Sequence, residues 1–273
     1  MELGKYGIWQ STAGATPQVA AEAEKLGYGA VWIGGNPAGD LHEVEGLLDA
    51  TDRIVIATGI VNMWGVPAAQ AAASFHRLEA KHPGRLLLGV GIGHPEANSE
   101  FRDPYATILE YLDGLAAAGV PADRQALAAL GPKVLKVAAE RTAGAHPYLT
   151  TPEHTADARR IVGPAALLAP EHKVILDTDA DRARALARPT ITFYLGLVNY
   201  RRNLLRYGFT EDDFANNGSD RLVDALVLHG TAESIATRLQ AHLDAGANHV
   251  SIQVLGNELS DGHRALAEAL ELG

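Results

Sequence analysis

The stretch Leu86-Leu87-Leu88-Gly89-Val90-Gly91-Ile92-Gly93-His94-Pro95-Glu96 decides the fold of this chain. Its leucines and valine suit a strand that is buried on both faces, as in a parallel sheet. The glycines leave bare backbone at the end of the strand, where a flat ligand can lie. His94 comes where the strand should open into a loop, which is where α/β barrels and open α/β sheets hold their reacting groups.

Apolar runs of this kind alternate with amphipathic segments along the whole chain. The eight runs begin at Tyr6, Ala30, Ile54, Leu86, Gln125, Gly144, Leu167 and His249. Repeated strand–helix units imply parallel strands, and eight units in 273 residues predict a (β/α)8 TIM barrel of the α/β class, as one domain over residues 1–273. A doubly wound open sheet is the alternative, although it rarely uses eight units without a linker.

Two segments of the predicted barrel depart from a simple strand–helix alternation. The pattern predicts one long helical stretch from Asp181 to Tyr207. The polar segment from Glu211 to Asp220 indicates an excursion on the barrel rather than a domain boundary.

Composition limits the classes of function. The formal net charge of −10 argues against non-specific binding of nucleic acid, which needs a basic surface. The chain has no cysteine, which excludes disulfides, thiolate metal sites and cysteine nucleophiles. No signal peptide or membrane-spanning run is evident. We therefore expect a cytoplasmic protein with a small-molecule substrate and with neither a membrane nor a nucleic acid as partner.

Several catalytic and phosphate-binding motifs are absent. The glycines from Gly89 to Gly93 lack the G-x-G-x-x-G spacing of a dinucleotide site, and there is no Walker A sequence. Neither an H-E-x-x-H pair nor a G-x-S-x-G elbow occurs, and the eleven histidines are scattered, so no metal site is expected.

Polar and aromatic residues follow the predicted strands where barrel chemistry takes place. Such residues suit a pocket for a flat heteroaromatic ligand. In chain order they are Asn36, Asn62-Met63-Trp64, His94, Gly131-Pro132-Lys133, His146 and Tyr148.

Each of these residues also has a purely structural interpretation. His94 is a candidate general acid or carbonyl donor, or else a strand-end histidine bonded to solvent. The Gly131-Pro132-Lys133 stretch offers backbone N–H groups and an ammonium to an anion, or else is a plain turn. Trp64 either forms a wall of the pocket or packs at the rim.

The remaining candidates are also open to two interpretations. His146 and Tyr148 alternate along one strand and can therefore point to the same side, into a pocket or into structural hydrogen bonds. Arg201, Arg202 and Arg206 form a basic cluster that either meets an anionic tail or is a solvated helix face.

Four motifs in the expected order resemble the bacterial luciferase-like oxidoreductases, and in particular the actinobacterial branch that uses the deazaflavin coenzyme F420. The resemblance extends from Ile8-Trp9 to Val254-Leu255 and includes the stretch from Tyr194 to Leu205. The motifs are Ala57-Thr58-Gly59-Ile60-Val61-Asn62, Leu88-Gly89-Val90-Gly91-Ile92-Gly93-His94, Ala129-Leu130-Gly131-Pro132-Lys133 and Gly144-Ala145-His146-Pro147-Tyr148.

The resemblance implies a barrel with an insertion after strand seven and a flavin-like ring at its carboxyl end. It implies a cis peptide bond at Gly59–Ile60 behind the ring, Asn62 beside the ring, and His94 as the group that handles a proton near it. Taken with the strand-end residues above, the predicted cofactor-binding residues are Asn36, Gly59, Ile60, Val61, Asn62, Gly91, Gly93, Gly131, Pro132 and Lys133. The predicted substrate-pocket residues, from their places after the strands, are Trp64, His146 and Tyr148. A homodimer is the family-like expectation.

The sequence departs from relatives that oxidise alcohols at the end of strand two. Those relatives often carry Asp-His there, whereas this chain has Gly34-Gly35-Asn36. The substrate and the direction of hydride transfer are therefore open. Three hypotheses follow: a coenzyme F420-dependent oxidoreductase with His94 as the proton-handling residue, an FMN-dependent monooxygenase on the same scaffold, or a barrel that binds a cofactor or ligand without turnover.

Overall fold

The computed structural model describes residues 1–93, 103–256 and 259–273. Within those ranges the strands are β1 (Tyr6–Ser11), β2 (Ala30–Gly34), β3 (Val55–Thr58), β4 (Val61–Asn62), β5 (Leu86–Gly91), β6 (Gln125–Leu127), β7 (Gly144–Ala145), β8 (Leu167–Leu168), β9 (Glu171–Ile175), β10 (Val227–His229) and β11 (Val250–Val254). The helices are α1 (Pro17–Lys25), α2 (His42–Asp49), α3 (Ala68–Lys81), α4 (Pro104–Ala117), α5 (Pro132–Arg141), α6 (Pro152–Val162), α7 (Ala180–Leu195), α8 (Val198–Arg206), α9 (Glu211–Phe214), α10 (Asp220–Leu226), α11 (Ala232–Asp244) and α12 (Leu259–Ala269).

The strands form one parallel sheet that closes on itself. Its hydrogen-bonded order is β10-β9-β11-β1-β2-β3-β5-β6-β7-β8, with β4 beside β5. Because β8 and β9 are consecutive parts of one strand, this order returns to its beginning. Ala169 N donates to Ala145 O on one side of that strand, and Asn248 N donates to Leu168 O on the other. The predicted TIM barrel is therefore confirmed, and the open sheet is excluded.

Strand alternation divides the buried residues into two layers. Ile8 and Ile252 belong to the apolar layer between strands and helices, whereas Trp9 and Trp32 pack with Ala57 in a separate cluster inside the barrel. Successive side chains of a strand point to opposite faces, so each strand supplies both layers. The interior layer ends at the carboxyl edge of the strands, where the site lies.

The helix starts follow local sequence signals. Pro17 occupies the first turn of α1, and Thr16 caps it by accepting a hydrogen bond from Val19 N at 3.3 Å. None of the helices in the described ranges is long and apolar enough to cross a membrane.

The seventh barrel strand consists of β8 and β9. An insertion of four helices, α7 to α10, follows β9, as the resemblance implies. The single long helix predicted from Asp181 to Tyr207 is wrong, because α7 ends at Leu195 and α8 begins at Val198. The buried Leu197 adopts an extended backbone between them and packs into the insertion's own apolar cluster. The three-residue strand β10, which the sequence pattern did not predict, then pairs with the end of β9.

Candidate active site

The third barrel strand is interrupted by a cis peptide bond between Gly59 and Ile60. This is the bond that the resemblance implied. Asn62 then pairs in register with Gly91 on the neighbouring strand. A Cβ atom added to Gly91 would lie 3.0 Å from Ile60 Cγ1, so glycine lets the two strand ends touch. The structure thus brings the cis peptide and Gly91 together, with Gly59, Ile60 and Asn62 all partly exposed.

His146 and Tyr148 both face the barrel interior. The His146 ring stacks on Trp32, with centroids 4.0 Å apart and planes 11° apart. Its Nδ1 lies 2.7 Å from Ala169 O. Burial lowers the pKa of His146 to about 4, so the ring is neutral near pH 7. His146 is therefore a fixed neutral imidazole, and Tyr148 stands beside it at the partly exposed end of the strand.

Trp9 packs beside Tyr148 in the interior of the barrel, and no local pattern distinguishes it from the other apolar residues of β1. Its indole covers Gly34, where an added Cβ would lie 1.7 Å from Trp9 Cζ2. Its ring centroid is 5.5 Å from that of Tyr148. The Gly34 position, where alcohol-oxidising relatives often differ, is thus tied to an aromatic side chain of the first strand.

A buried ion pair lies beneath Tyr148. Lys173 Nζ donates to Glu171 Oε1 and Oε2 at 2.9 and 3.0 Å, and both side chains are 0% exposed. The ammonium lies 3.7 Å from the centre of the Tyr148 ring. Burial raises the pKa of Glu171 and lowers that of Lys173, while the ion pair opposes both shifts. The sequence contains a signal for this pair, because two charges two residues apart within an apolar strand share one face of it.

A chain of hydroxyl groups joins the insertion to the barrel. Tyr194 OH of α7 donates to Tyr148 OH at 3.0 Å, and Tyr148 OH donates to Gln253 Oε1 at 3.1 Å. Gln253 is partly exposed at the end of the eighth barrel strand. Because its oxygen accepts from Tyr148, its amide nitrogen is the group of this side chain that can donate a hydrogen bond.

The Gly131-Pro132-Lys133 turn begins helix α5. Gly131 is the N-cap and has no side chain to cap the first turn. A Cβ atom added to Gly131 would have nothing within 4 Å among the described residues. Pro132 has no N–H, and Val134 N donates to Gly131 O at 3.1 Å, so the Lys133 N–H is the first-turn donor left to bind an anion. Lys133 itself is exposed on the helix surface.

A surface cavity of about 280 Å³ lies next to this turn. Its lining residues are Leu130, Pro132, Leu135, Asp157, Arg160, Ile161, Arg206 and Tyr207. Arg206 of the predicted basic cluster is thus near Pro132, whereas Arg201 forms an ion pair with Glu211 of the insertion. The three arginines therefore do not act as one group.

Three further predicted residues are His94, Asn36 and Trp64. His94 lies outside the described residues. Asn36 is exposed, with a left-handed backbone (φ 57°), after the second strand. Trp64 is half-buried, and its backbone N donates to Asn62 Oδ1 at 3.0 Å.

One surface group has atoms placed closely enough for a metal ion. Within the described ranges, Asp40, His42 and Glu43 have ligand atoms within 4.8 Å of one another. His42 already pairs with both acids, and Asp40 and His42 are exposed. The group lies at the start of α2.

Comparison with known proteins supports the family resemblance. Residues 4–119 match the family described as luciferase-like monooxygenase. No curated protein matches the chain by sequence.

Solved structures share the fold over the full length. A coenzyme F420-dependent secondary alcohol dehydrogenase, in complex with an F420–acetone adduct, is 16% identical over 100% of this chain and 99% of that chain, with a TM-score of 0.79. The F420-dependent tetrahydromethanopterin reductase of Methanopyrus kandleri is 15% identical over 99% of both chains (TM-score 0.73). The oxygenating constituent of the Pseudomonas putida 3,6-diketocamphane monooxygenase, in complex with FMN, is 15% identical over 98% of this chain and 96% of that chain (TM-score 0.68). These likenesses establish the fold.

Proposed function

We propose that this chain, which carries a luciferase-like monooxygenase domain over residues 4–119 within a complete barrel of that fold, is a coenzyme F420-dependent oxidoreductase acting on a small organic substrate. The proposal includes a homodimer, on the family resemblance, and a cytoplasmic setting.

The observation that carries the proposal is the side-chain-poor surface at the ends of the third and fourth barrel strands. The cis Gly59–Ile60 peptide and the residues from Ile92 to Gly93 are partly exposed there. Bare backbone of this kind admits a flat ring system close to the strands. The two F420-dependent proteins compared above have the same barrel, and this supports the choice of deazaflavin.

The residues at the mouth of the barrel fit a phosphorylated cofactor. The first turn of α5 offers the Lys133 N–H to a phosphate, and Gly131 leaves the space beside it free. Gly59, Ile60 and Asn62 would lie along the ring, with the Gly91 and Gly93 backbone along its tail. The Val61 side chain is buried in the layer between strands and helices, so Val61 would contribute only backbone. When bound, the deazaflavin supplies hydride transfer with the substrate.

The interior residues set the environment of the reacting atoms. Trp9 and Tyr148 contribute packed aromatic surface to the floor of the site, which lowers the polarity around the reacting atoms. Gln253 donates its amide N–H towards a carbonyl or hydroxyl oxygen in the pocket, in an orientation set by Tyr148. His94 would give or take the proton that accompanies hydride transfer, on its place in the sequence.

A binding experiment tests the choice of cofactor. The purified protein is titrated separately with coenzyme F420 and with FMN, and binding is followed by the change in fluorescence. Tight binding of F420 with weak binding of FMN supports the proposal. Tight binding of FMN alone contradicts it.

The variant Gly131→Asp tests the phosphate site independently of turnover. Aspartate is a favoured N-cap residue, so α5 should be as stable as before. Its carboxylate would repel a phosphate, and we expect at least about tenfold weaker cofactor binding. The matched control is Ala122→Asp, which adds the same charge at the exposed amino end of β6, at the other end of the barrel. Equal affinities for the two variants would refute the phosphate site.

The FMN-dependent monooxygenase is the second candidate, because the matched family and the FMN-bound structure both point to oxygen chemistry. The F420-dependent and the FMN-dependent candidate functions predict different results in the binding titration above. A barrel that binds without turnover predicts tight cofactor binding with no substrate consumed from a broad panel. If His94→Ala retains cofactor binding and turns over an identified substrate as fast as the native chain, His94 has no catalytic role.

A further inference from the structure

A buried hydrogen-bond donor and a buried acceptor converge inside the barrel beside Gly59. Trp9 Nε1 and His146 Nε2 are both shielded from solvent, and neither has a hydrogen-bond partner among the described residues. A Cβ atom placed on Gly59 would lie 3.2 Å from each of these nitrogens. Apart from the adjoining Thr58 and Ile60, the next nearest atom, His146 Cδ2, would be 3.7 Å away. Both nitrogens therefore converge on the side of Gly59 where another residue would carry its Cβ atom.

The chemistry of the two nitrogens is complementary. An indole nitrogen can only donate a hydrogen bond. His146 Nδ1 lies 2.7 Å from Ala169 O, and a carbonyl can only accept, so Nδ1 carries the ring proton. Since burial keeps the imidazole neutral, Nε2 is left with a lone pair that can only accept.

Both rings are held in place by their neighbours. His146 is stacked on Trp32 and bonded to the backbone of the seventh barrel strand. Trp9 lies over Gly34 and beside Tyr148. Packing on both sides opposes rotation of either ring, and an unpartnered polar atom in such a place costs free energy until a ligand satisfies it.

We propose that Trp9 Nε1 and His146 Nε2 bind one hydroxyl oxygen, which accepts from the indole and donates to the imidazole. A water molecule and an alcohol substrate both carry such a hydroxyl group. A ketone or an ammonium would satisfy only one of the two nitrogens. Gly59 is needed because a side chain would occupy the space. The site does not depend on which cofactor the barrel binds.

Proton NMR of the protein with ¹⁵N-labelled tryptophan tests the site without a known substrate. The chain has three indole N–H groups, and the Trp9→Phe variant identifies the Trp9 signal. We expect a cross-relaxation peak between the Trp9 indole proton and a hydroxyl proton. Trp32 is the internal control, because its Nε1 already donates to His249 Nε2 at 3.1 Å and should show no such peak.

Addition of 2-propanol separates the two sources of the hydroxyl group. If the peak is unchanged, the site holds a resident water; if it is replaced by a peak to the alcohol, the site takes the substrate hydroxyl. Both results support the site. The absence of a hydroxyl peak at Trp9 with and without 2-propanol overturns it.

The Gly59→Ala variant checks the location. Its methyl group fills the space, so we expect the Trp9 peak to vanish while the Trp32 signal stays in place. If this variant does not fold, Trp9→Phe with ¹⁵N-labelled histidine gives the same information, since loss of the bound hydroxyl should shift the His146 Nε2 resonance. An unchanged His146 resonance in Trp9→Phe contradicts the site.

Discussion

Replacing Lys173 by methionine should destabilise the protein strongly, because it leaves Glu171 buried without its partner. Both side chains are 0% exposed, and the carboxylate accepts two hydrogen bonds from the ammonium. Without Lys173, the described neighbour that still donates to the carboxylate is Leu149 N, at 3.3 Å. Breaking a buried ion pair from one side costs about 3–5 kcal/mol of unfolding free energy.

The double variant Glu171→Leu with Lys173→Met should recover most of that loss. It removes both charges, and buried ion pairs replaced by apolar residues of similar volume often leave stability unchanged. The methionine sulfur can keep a contact with the Tyr148 ring. We expect the double variant to be within about 2 kcal/mol of the native chain.

Urea unfolding followed by circular dichroism at pH 7 measures these differences. A second series at lower pH sharpens the test, because burial raises the pKa of Glu171 and a protonated carboxyl no longer needs the ammonium. The penalty of Lys173→Met should therefore shrink as the pH falls. Lys136→Met is the control, since Lys136 forms an exposed pair with Glu140 on α5 and its loss should have little effect. A Lys173→Met variant as stable as the native chain, or a double variant less stable than the single one, would refute the reasoning.

Three further predictions concern pH, the tyrosine chain and the insertion. Burial lowers the pKa of His146 and of His249 to about 4 from 6.5, so each contributes stability that is complete above pH 6.5 and is lost as the pH falls through 4. Each loss amounts to about 3 kcal/mol, and equal unfolding free energies at pH 7.5 and pH 4.5 would contradict it. Tyr148→Phe should free the Gln253 amide to flip and weaken substrate binding several-fold, visible as a higher KM at nearly constant kcat; a change in kcat alone would argue against this orienting role. Asp213→Ala removes a carboxylate that accepts hydrogen bonds from Thr210 N at the N-cap of α9, from the Ser219 hydroxyl and from the Arg221 guanidinium. The loss should lower the free energy of unfolding by about 1–3 kcal/mol, measured by calorimetry; an unchanged transition temperature would show that these bonds are dispensable.

Local sequence patterns were sufficient for the barrel but not for the interior of its mouth. Thr16-Pro17 marks a helix start, and the eight apolar runs mark the strands, because these signals act over a few residues. The cis bond at Gly59–Ile60 came from the family resemblance. Periodicity assigns a residue to a face of its strand but does not identify its partner across the barrel. The bond between Tyr148 and Gln253 joins residues 105 positions apart, and no local pattern relates them.

Two errors have the same physical origin. The break between α7 and α8 depends on Leu197 packing into a cluster formed by distant parts of the insertion. The interior role of Trp9 depends on Gly34, which belongs to the next strand. The helix break and the interior position of Trp9 both depend on tertiary contacts, whereas propensity and spacing describe only the chain segment itself. His94, the main catalytic candidate in the sequence, lies outside the described residues.

The Tyr194 hydroxyl group on α7 bonds to Tyr148, so the insertion forms part of the floor of the site. A chimera that received the segment between β9 and β10 from a relative would inherit a different neighbour for Tyr148 along with it. Selectivity for ligands could then be altered by grafting one contiguous peptide, with all eight barrel strands left untouched.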